Sequence, residues 1–167
     1  MPDAANTCID VYIDSDDLRA ALIEDARSGL ASNPKCLSPI WFYDERGSAL
    51  FDEITRLDEY YLTRAERRLL TAHAAEIAKE AASDTLVELG AGTCEKSRIL
   101  LDAMHNMGTL RRYVPLDVSD VTLGEAAGAL TEEFPGLEVH AVVGEVKVEG
   151  ILALANKQSF FRERNSR

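Results

Sequence analysis

The apolar positions of this chain change their spacing partway along it, and that change divides the sequence. Cys8 to Ile13 is loosely apolar and offers a short strand. Leu18, Leu22, Ala26 and Leu30 then recur every fourth residue, which predicts a helix with one buried face; Asp14, Asp16 and Asp17 suit its positive end and Ser15 its N-cap. Ser32-Asn33-Pro34 breaks it, and Leu37-Ser38-Pro39 keeps the chain extended. A second helix is predicted over Ser48 to Leu57, with Leu50, Phe51, Ile54 and Leu57 on one side. A third starts at a capping box, Thr63-Arg64-Ala65-Glu66, and runs to about Ser83 with Leu70, Ala74, Ile77, Ala78 and Ala81 inward. From there short apolar runs alternate with helical ones. Strands are predicted at Thr85 to Leu89, Arg112 to Asp117 and Leu137 to Val143. Helices fall between them, from about Glu95 to Met107 with Ile99, Leu100 and Ala103 inward, and from about Val121 to Phe134. Such alternation predicts an α/β fold with a parallel sheet of about three strands and right-handed crossovers, preceded by a helical region. Pro115 lacks a ladder donor and predicts a bulge or an early end to pairing.

The stretch from Asp84 to Arg98, D-T-L-V-E-L-G-A-G-T-C-E-K-S-R, carries the first candidate chemistry. Gly90 permits a sharp turn after the strand, and Gly92 leaves no Cβ where a ligand would approach the backbone at the start of the next helix. Asp117 ends the second strand, 117 − 90 = 27 positions after Gly90. An acid there can accept hydrogen bonds from the two hydroxyls of a ribose. It can equally cap the following helix, a role open also to Ser119 and Asp120. The aromatic cluster Trp41-Phe42-Tyr43-Asp44 reads from its pattern as rings packed against the main domain. Tyr60-Tyr61 sits at a helix junction whose phenols can reach a ligand.

Composition excludes several classes. A net charge of −11 over 167 residues offers no basic stripe for nucleic acid or an anionic membrane. No apolar run reaches the roughly 20 residues that span a bilayer. The N-terminus lacks a basic segment followed by an apolar one, which predicts a cytoplasmic protein. Cys8, Cys36 and Cys94, like His73, His105 and His140, show no metal-ligand spacing, so no metal is assigned.

Five motifs, W-F-Y-D, G-S-x-L-F-D-x-I-T-R-L-x-E-Y-Y, T-R-A-E, T-L-V-E-L-G-x-G-T-x-E-K and V-P-x-D-V, closely resemble the histidine-specific N-alpha-methyltransferases of ergothioneine biosynthesis. The resemblance runs from about Asp10 to Gly144. It implies a partial Rossmann-like, class I methyltransferase sheet and S-adenosylmethionine as methyl donor. Carried over by motif, Gly90, Gly92 and Lys96 would contact the donor and Asp117 its ribose, while Tyr43 and Tyr60 would contact histidine. The reaction implied is in-line methyl transfer to the α-amine until the nitrogen is quaternary. That chemistry needs a neutral, aligned amine rather than a covalent nucleophile, and Tyr60 is the candidate to orient it.

Two departures qualify the resemblance. The family follows its third strand with an Asp-Phe pair for the adenine, whereas this chain has Glu145-Val146, so Glu145 replaces only the carboxylate. The family also continues into the rest of its sheet and an added domain that supplies most histidine contacts. Residues 145–167 carry five Lys or Arg against three Asp or Glu and read as a divergent tail, of the kind a shifted reading frame produces. The expected organisation is therefore a substrate-side helical region over 1–62, the first half of a donor-binding domain over 63–144, and that tail. Without further strands, Thr85 to Leu89 becomes an apolar sheet edge open to self-association. Three functions stay open: an incomplete histidine methyltransferase, an inactive fragment that binds the donor, and half of a nicotinamide-dependent dehydrogenase.

Overall fold

The computed structural model describes residues 7–12, 15–42 and 44–144. In chain order the elements are β1 (Thr7–Val11), α1 (Ser15–Ala31), a 3-10 turn (Pro39–Phe42), α2 (Glu45–Thr55), α3 (Leu62–Ala81), β2 (Thr85–Leu89), α4 (Ser97–Asn106), β3 (Arg112–Asp117), α5 (Asp120–Glu133) and β4 (Glu138–Val143). The four strands form one all-parallel sheet in the order β1-β4-β3-β2. The three predicted strands stand where the sequence placed them. The fourth is the N-terminal apolar run, which pairs beside β4 with Thr7 opposite Val139. As expected, β2 is an edge strand among the described residues, and Val87 and Leu89 on it are exposed.

The core lies where α4 and α5 cover one face of the sheet. Leu101 and Met104 from α4, Leu123, Ala127 and Leu130 from α5, and Tyr113, Val139 and Ala141 from the strands are buried together. Side chains alternate across a strand, so Leu86, Tyr113 and Val139, level with one another in register, share this face. Fully burying one such leucine stabilises the fold by about 1.5–3 kcal/mol. The buried stripe of α4 is Ser97, Leu101 and Met104, offset from the predicted Ile99, Leu100 and Ala103, which are half-buried. A helix packed on both a sheet and a neighbouring helix, here α3 through Ala74 and Ala78, presents the face between the two contacts.

Other expectations fail for identifiable reasons. Pro115 makes no bulge, because the offset between β3 and β4 is 26 both before it (Tyr113 opposite Val139) and after it (Leu116 opposite Val142). The proline only interrupts the ladder. The capping box does not form: α3 begins two residues earlier, with Tyr61 as an N-cap that makes no side-chain bond, so Thr63 already lies within the helix. Ser15 is likewise the first residue of α1 rather than the residue before it. Leu18, Leu22 and Leu30 of α1 and Leu50, Phe51, Ile54 and Leu57 around α2 are exposed rather than buried, as are Ile77 and Ala81 of α3. Amphipathic spacing predicted a covered face correctly only for the part of α3 that meets α4. Ser119 settles the capping question after β3, since its side chain accepts from Thr122 N. No described helix is long and apolar enough to cross a membrane.

Candidate functional site

β2 delivers the chain into a turn built on left-handed backbone. Gly90 has φ 72° and Gly92 φ 52°, conformations that cost a glycine nothing and an L-residue about 1–2 kcal/mol. Gly90 N and Ala91 N both donate to Leu116 O, at 2.8 and 3.0 Å, which stitches the turn to the end of β3. Gly92 N donates to Asp117 Oδ2 at 2.9 Å. The other carboxylate oxygen of Asp117 accepts from Val118 N at 2.8 Å and Ser119 N at 3.2 Å. The glycines and the acid singled out in the sequence are thus joined directly, tip to tip.

Two features make this junction receptive. A Cβ built on either Gly90 or Gly92 would meet no protein atom within 4 Å, so the space over the turn is open. A carboxylate has about four acceptor positions and Asp117 uses three, the longest being to Ser119. One position free among the described residues, and one that a stronger donor can displace, suit a pair of neighbouring hydroxyls. The open turn beside that acid therefore has room and acceptor capacity for a ligand that carries such a pair of hydroxyls.

Below the turn lies a polar cluster that the sequence did not reveal as such. Glu88 Oε2 accepts from both Ser97 Oγ and Tyr113 Oη. These groups tie β2, β3 and the first turn of α4 into one unit under the glycines. The only signal for it was an acid inside an otherwise apolar strand. Burial pushes the Tyr113 phenol far above its ordinary 10.0, with its hydrogen bonds to Cys94 and Glu88 acting in the same direction. Burial likewise raises the Cys94 thiol, and the Glu88 charge adds to that. Cys94, in the turn itself with φ 56°, is therefore a neutral thiol and no nucleophile.

Lys96 is placed differently from the glycines and Asp117. Its Nζ donates to Glu66 Oε2 of α3 at 2.7 Å, and Arg67 Nη2 lies 3.4 Å from Glu95 Oε2 alongside. These exposed pairs join the T-R-A-E and E-K motifs, at a typical worth of about 0–1 kcal/mol each. Tyr60 sits half-buried between α2 and α3, edge-on to Phe51 with ring centroids 6.0 Å apart. Among the described residues its hydroxyl has no hydrogen-bond partner. The loop that carries it is clamped by Arg64, whose guanidinium donates to Leu57 O at 2.8 Å and Asp58 O at 2.6 Å. The capping-box pattern gives no sign of this clamp.

The W-F-Y-D motif is anchored at both ends. Trp41 Nε1 donates to Asp25 Oδ2 of α1 at 2.7 Å, and Asp44 caps α2 by accepting from Gly47 N at 2.7 Å. Phe42 is exposed and Trp41 is held by α1, so for these two rings the expected packing on the main domain is not observed. Tyr43 and Glu145 lie outside the described residues, as does the tail from 145 onward. A groove of about 290 Å³, lined by His105, Arg111 and Leu137 among others, opens beside the N-terminal ends of β3 and β4. Ligands of doubly wound sheets bind at the opposite, carboxyl end, where Gly90 and Asp117 stand.

Comparison with known proteins accords with this geometry. Residues 22–164 match the family described as histidine-specific methyltransferase, SAM-dependent. The chain is 52% identical over 134 residues to histidine N-alpha-methyltransferase of Mycolicibacterium smegmatis, an alignment covering 80% of this chain and 42% of that protein. It is 54% identical over 125 residues to the Mycobacterium tuberculosis enzyme of the same name, covering 75% and 39%. Ergothioneine biosynthesis protein 1 of Neurospora crassa is 38% identical over 112 residues, covering 66% and 13%. The chain thus spans about two fifths of the two bacterial relatives.

Proposed function

Because this chain belongs to the S-adenosylmethionine-dependent, histidine-specific methyltransferases, we propose that it carries the donor-binding side of a histidine N-alpha-methyltransferase. The observation that carries the reading is the bond from Gly92 N to Asp117 Oδ2, which unites an open glycine turn with an acid that keeps acceptor capacity. Asp117 accepts from the ribose hydroxyls, and Gly90 and Gly92 let the donor lie against the backbone. Lys96 reaches the donor only by leaving Glu66. Glu145, next after Gly144, serves as the acid on the adenine side. When bound, the donor supplies an electrophilic methyl on sulfonium sulfur.

Histidine is received by the helical region over 1–62, with Tyr43 and Tyr60 as its contacts and the domain over 63–144 carrying the donor. Tyr60 orients the α-amine, directly or through water, with its lone pair toward the methyl. Since Cys94 is neutral and buried, the transfer is direct and positioning does most of the work. The reaction is placed in the cytoplasm, and the unpaired edge of β2 offers a surface for self-association, read by gel filtration over a range of concentrations.

Calorimetric titration with S-adenosylhomocysteine, alongside a methylation assay on L-histidine, tests the reading. One equivalent bound by the chain, and lost in Asp117→Ala, is expected. A folded chain that gives no heat with S-adenosylhomocysteine refutes donor binding; heat without methylated histidine assigns to this chain the donor side alone.

A further inference from the structure

At the edge of the sheet away from the glycine turn, parallel pairing of β1 with β4 brings together three side chains that spacing along the chain never associates. Cys8 stands opposite His140, and Asp10, two positions on, shares their face. His140 Nε2 is 2.9 Å from Asp10 Oδ2, and Cys8 Sγ is 4.0 Å from Asp10 Oδ1. One ligand atom from each lies within 4.8 Å of the other two. We propose that Cys8, Asp10 and His140 form a binding site for one zinc ion, with water in the fourth position.

The geometry suits that ion. Tetrahedral zinc, with bonds of about 2.0–2.3 Å, sets its ligand atoms roughly 3.3–3.6 Å apart. Asp10 Oδ2 must draw back from His140 Nε2 by about half an ångström, and Cys8 Sγ, whose 4.0 Å contact is with the other carboxylate oxygen, must close in from within 4.8 Å. Cys8 is exposed and the Asp10 side chain is 44% exposed, so both can adjust, while His140, at 7%, is the fixed member. Two of the three ligands come from neighbouring strands in register and the third is two residues along the first, so the site rests on sheet rather than loop. Tyr12 Oη, 3.5 Å from Asp10 Oδ2, stands at its margin. A thiol and an imidazole disfavour calcium and magnesium, which take oxygen ligands. Binding releases the proton of the Cys8 thiol, because the thiolate is the ligand. The site spans β1 and β4, one strand beyond Asp117's β3, and would pin β1 to β4.

The test is titration of the chelator-treated chain with zinc, and with cobalt as a spectroscopic probe, while the reactivity of its thiols is followed. One equivalent of zinc is expected to shield Cys8 from a thiol reagent and leave Cys36 reactive. Cobalt is expected to give thiolate charge-transfer absorption and the intense visible bands of a tetrahedral site. Cys8→Ser and Asp10→Asn should each weaken zinc binding at least about 10-fold, and Cys36→Ser should leave it unchanged. Zinc that binds with equal affinity to Cys8→Ser, or that leaves Cys8 as reactive as before, overturns the proposal. Should Asp10→Asn fail to fold, the shielding of Cys8 and the Cys8→Ser affinity decide the matter.

Discussion

Replacing Tyr113 with phenylalanine tests whether the unit beneath the glycine turn is held together by a phenol kept in its neutral form. The side chain is fully buried and its hydroxyl donates to Glu88, with Ser97 as the other donor to the same oxygen. Burial and the neighbouring Cys94 and Glu88 raise its pKa far above 10.0. An acid that binds its proton more tightly when folded stabilises the fold in full below its unfolded pKa. Its contribution is lost as the pH climbs from there toward the folded value. Within that window the unfolded chain releases a proton that the folded chain keeps, which costs about 1.4 kcal/mol per pH unit. Cys94, raised from 9.0 chiefly by burial, behaves alike from one unit lower. By pH 11 the phenol withdraws about 1.4 kcal/mol and the thiol adds to that loss, set against the 5–15 kcal/mol of an ordinary domain. The assay is denaturant unfolding of both proteins at a series of pH values from 8 to 11. Near neutrality Tyr113→Phe should be less stable by about 1–3 kcal/mol, since the Glu88 carboxylate loses one of its two donors. That deficit should then shrink by about 1.4 kcal/mol for each unit above pH 10. A deficit that stays constant across the series would refute the account of a phenol protected from ionisation.

Three further outcomes follow from the site. Gly92→Ala places a methyl group in open space at φ 52°, so it should cost about 1–2 kcal/mol of stability yet weaken S-adenosylhomocysteine binding at least tenfold; unfolding curves and calorimetry separate the two effects. Asp117→Asn keeps an oxygen for Gly92 N but loses the charge that strengthens every bond to it, and should lower donor affinity by about 1–2 kcal/mol with a smaller change in melting temperature. Arg64→Lys cannot donate from two nitrogens at once to Leu57 O and Asp58 O, so hydrogen exchange of the loop around Tyr60 should quicken while donor binding holds.

The sheet and the glycine turn were legible in the sequence because they are written locally. Thr85 to Leu89 and Arg112 to Asp117 are short apolar runs with turn residues at their ends, and the structure keeps both ranges. Gly90, Gly92 and Asp117 belong to one strand-turn-helix-strand unit, so their meeting follows from the connection rules alone. Three things were not legible. The face that a helix buries depends on what packs against it, and the stripe of α4 was misread for that reason while those of α1 and α2 have no described cover. The Glu88–Ser97–Tyr113 cluster joins three elements and leaves only one odd acid in an apolar strand as its trace. Arg64 works through two backbone carbonyls, which no side-chain pattern advertises.

The pairing of β1 with β4 has a consequence for the order in which this molecule is made. Thr7 meets Val139, so the strand synthesised first cannot dock until 139 − 7 = 132 further residues have been added. At roughly 5–20 residues per second, translation leaves β1 waiting about 7–26 s after its own synthesis, while β2, β3 and their crossover helix are already assembling. Ile9 and Val11 spend that interval in water or in the grip of a chaperone, and closing so long a loop makes their arrival a late event in folding. Among the described strands, β1 is the last stave fitted to a sheet whose glycine turn was laid down well before it.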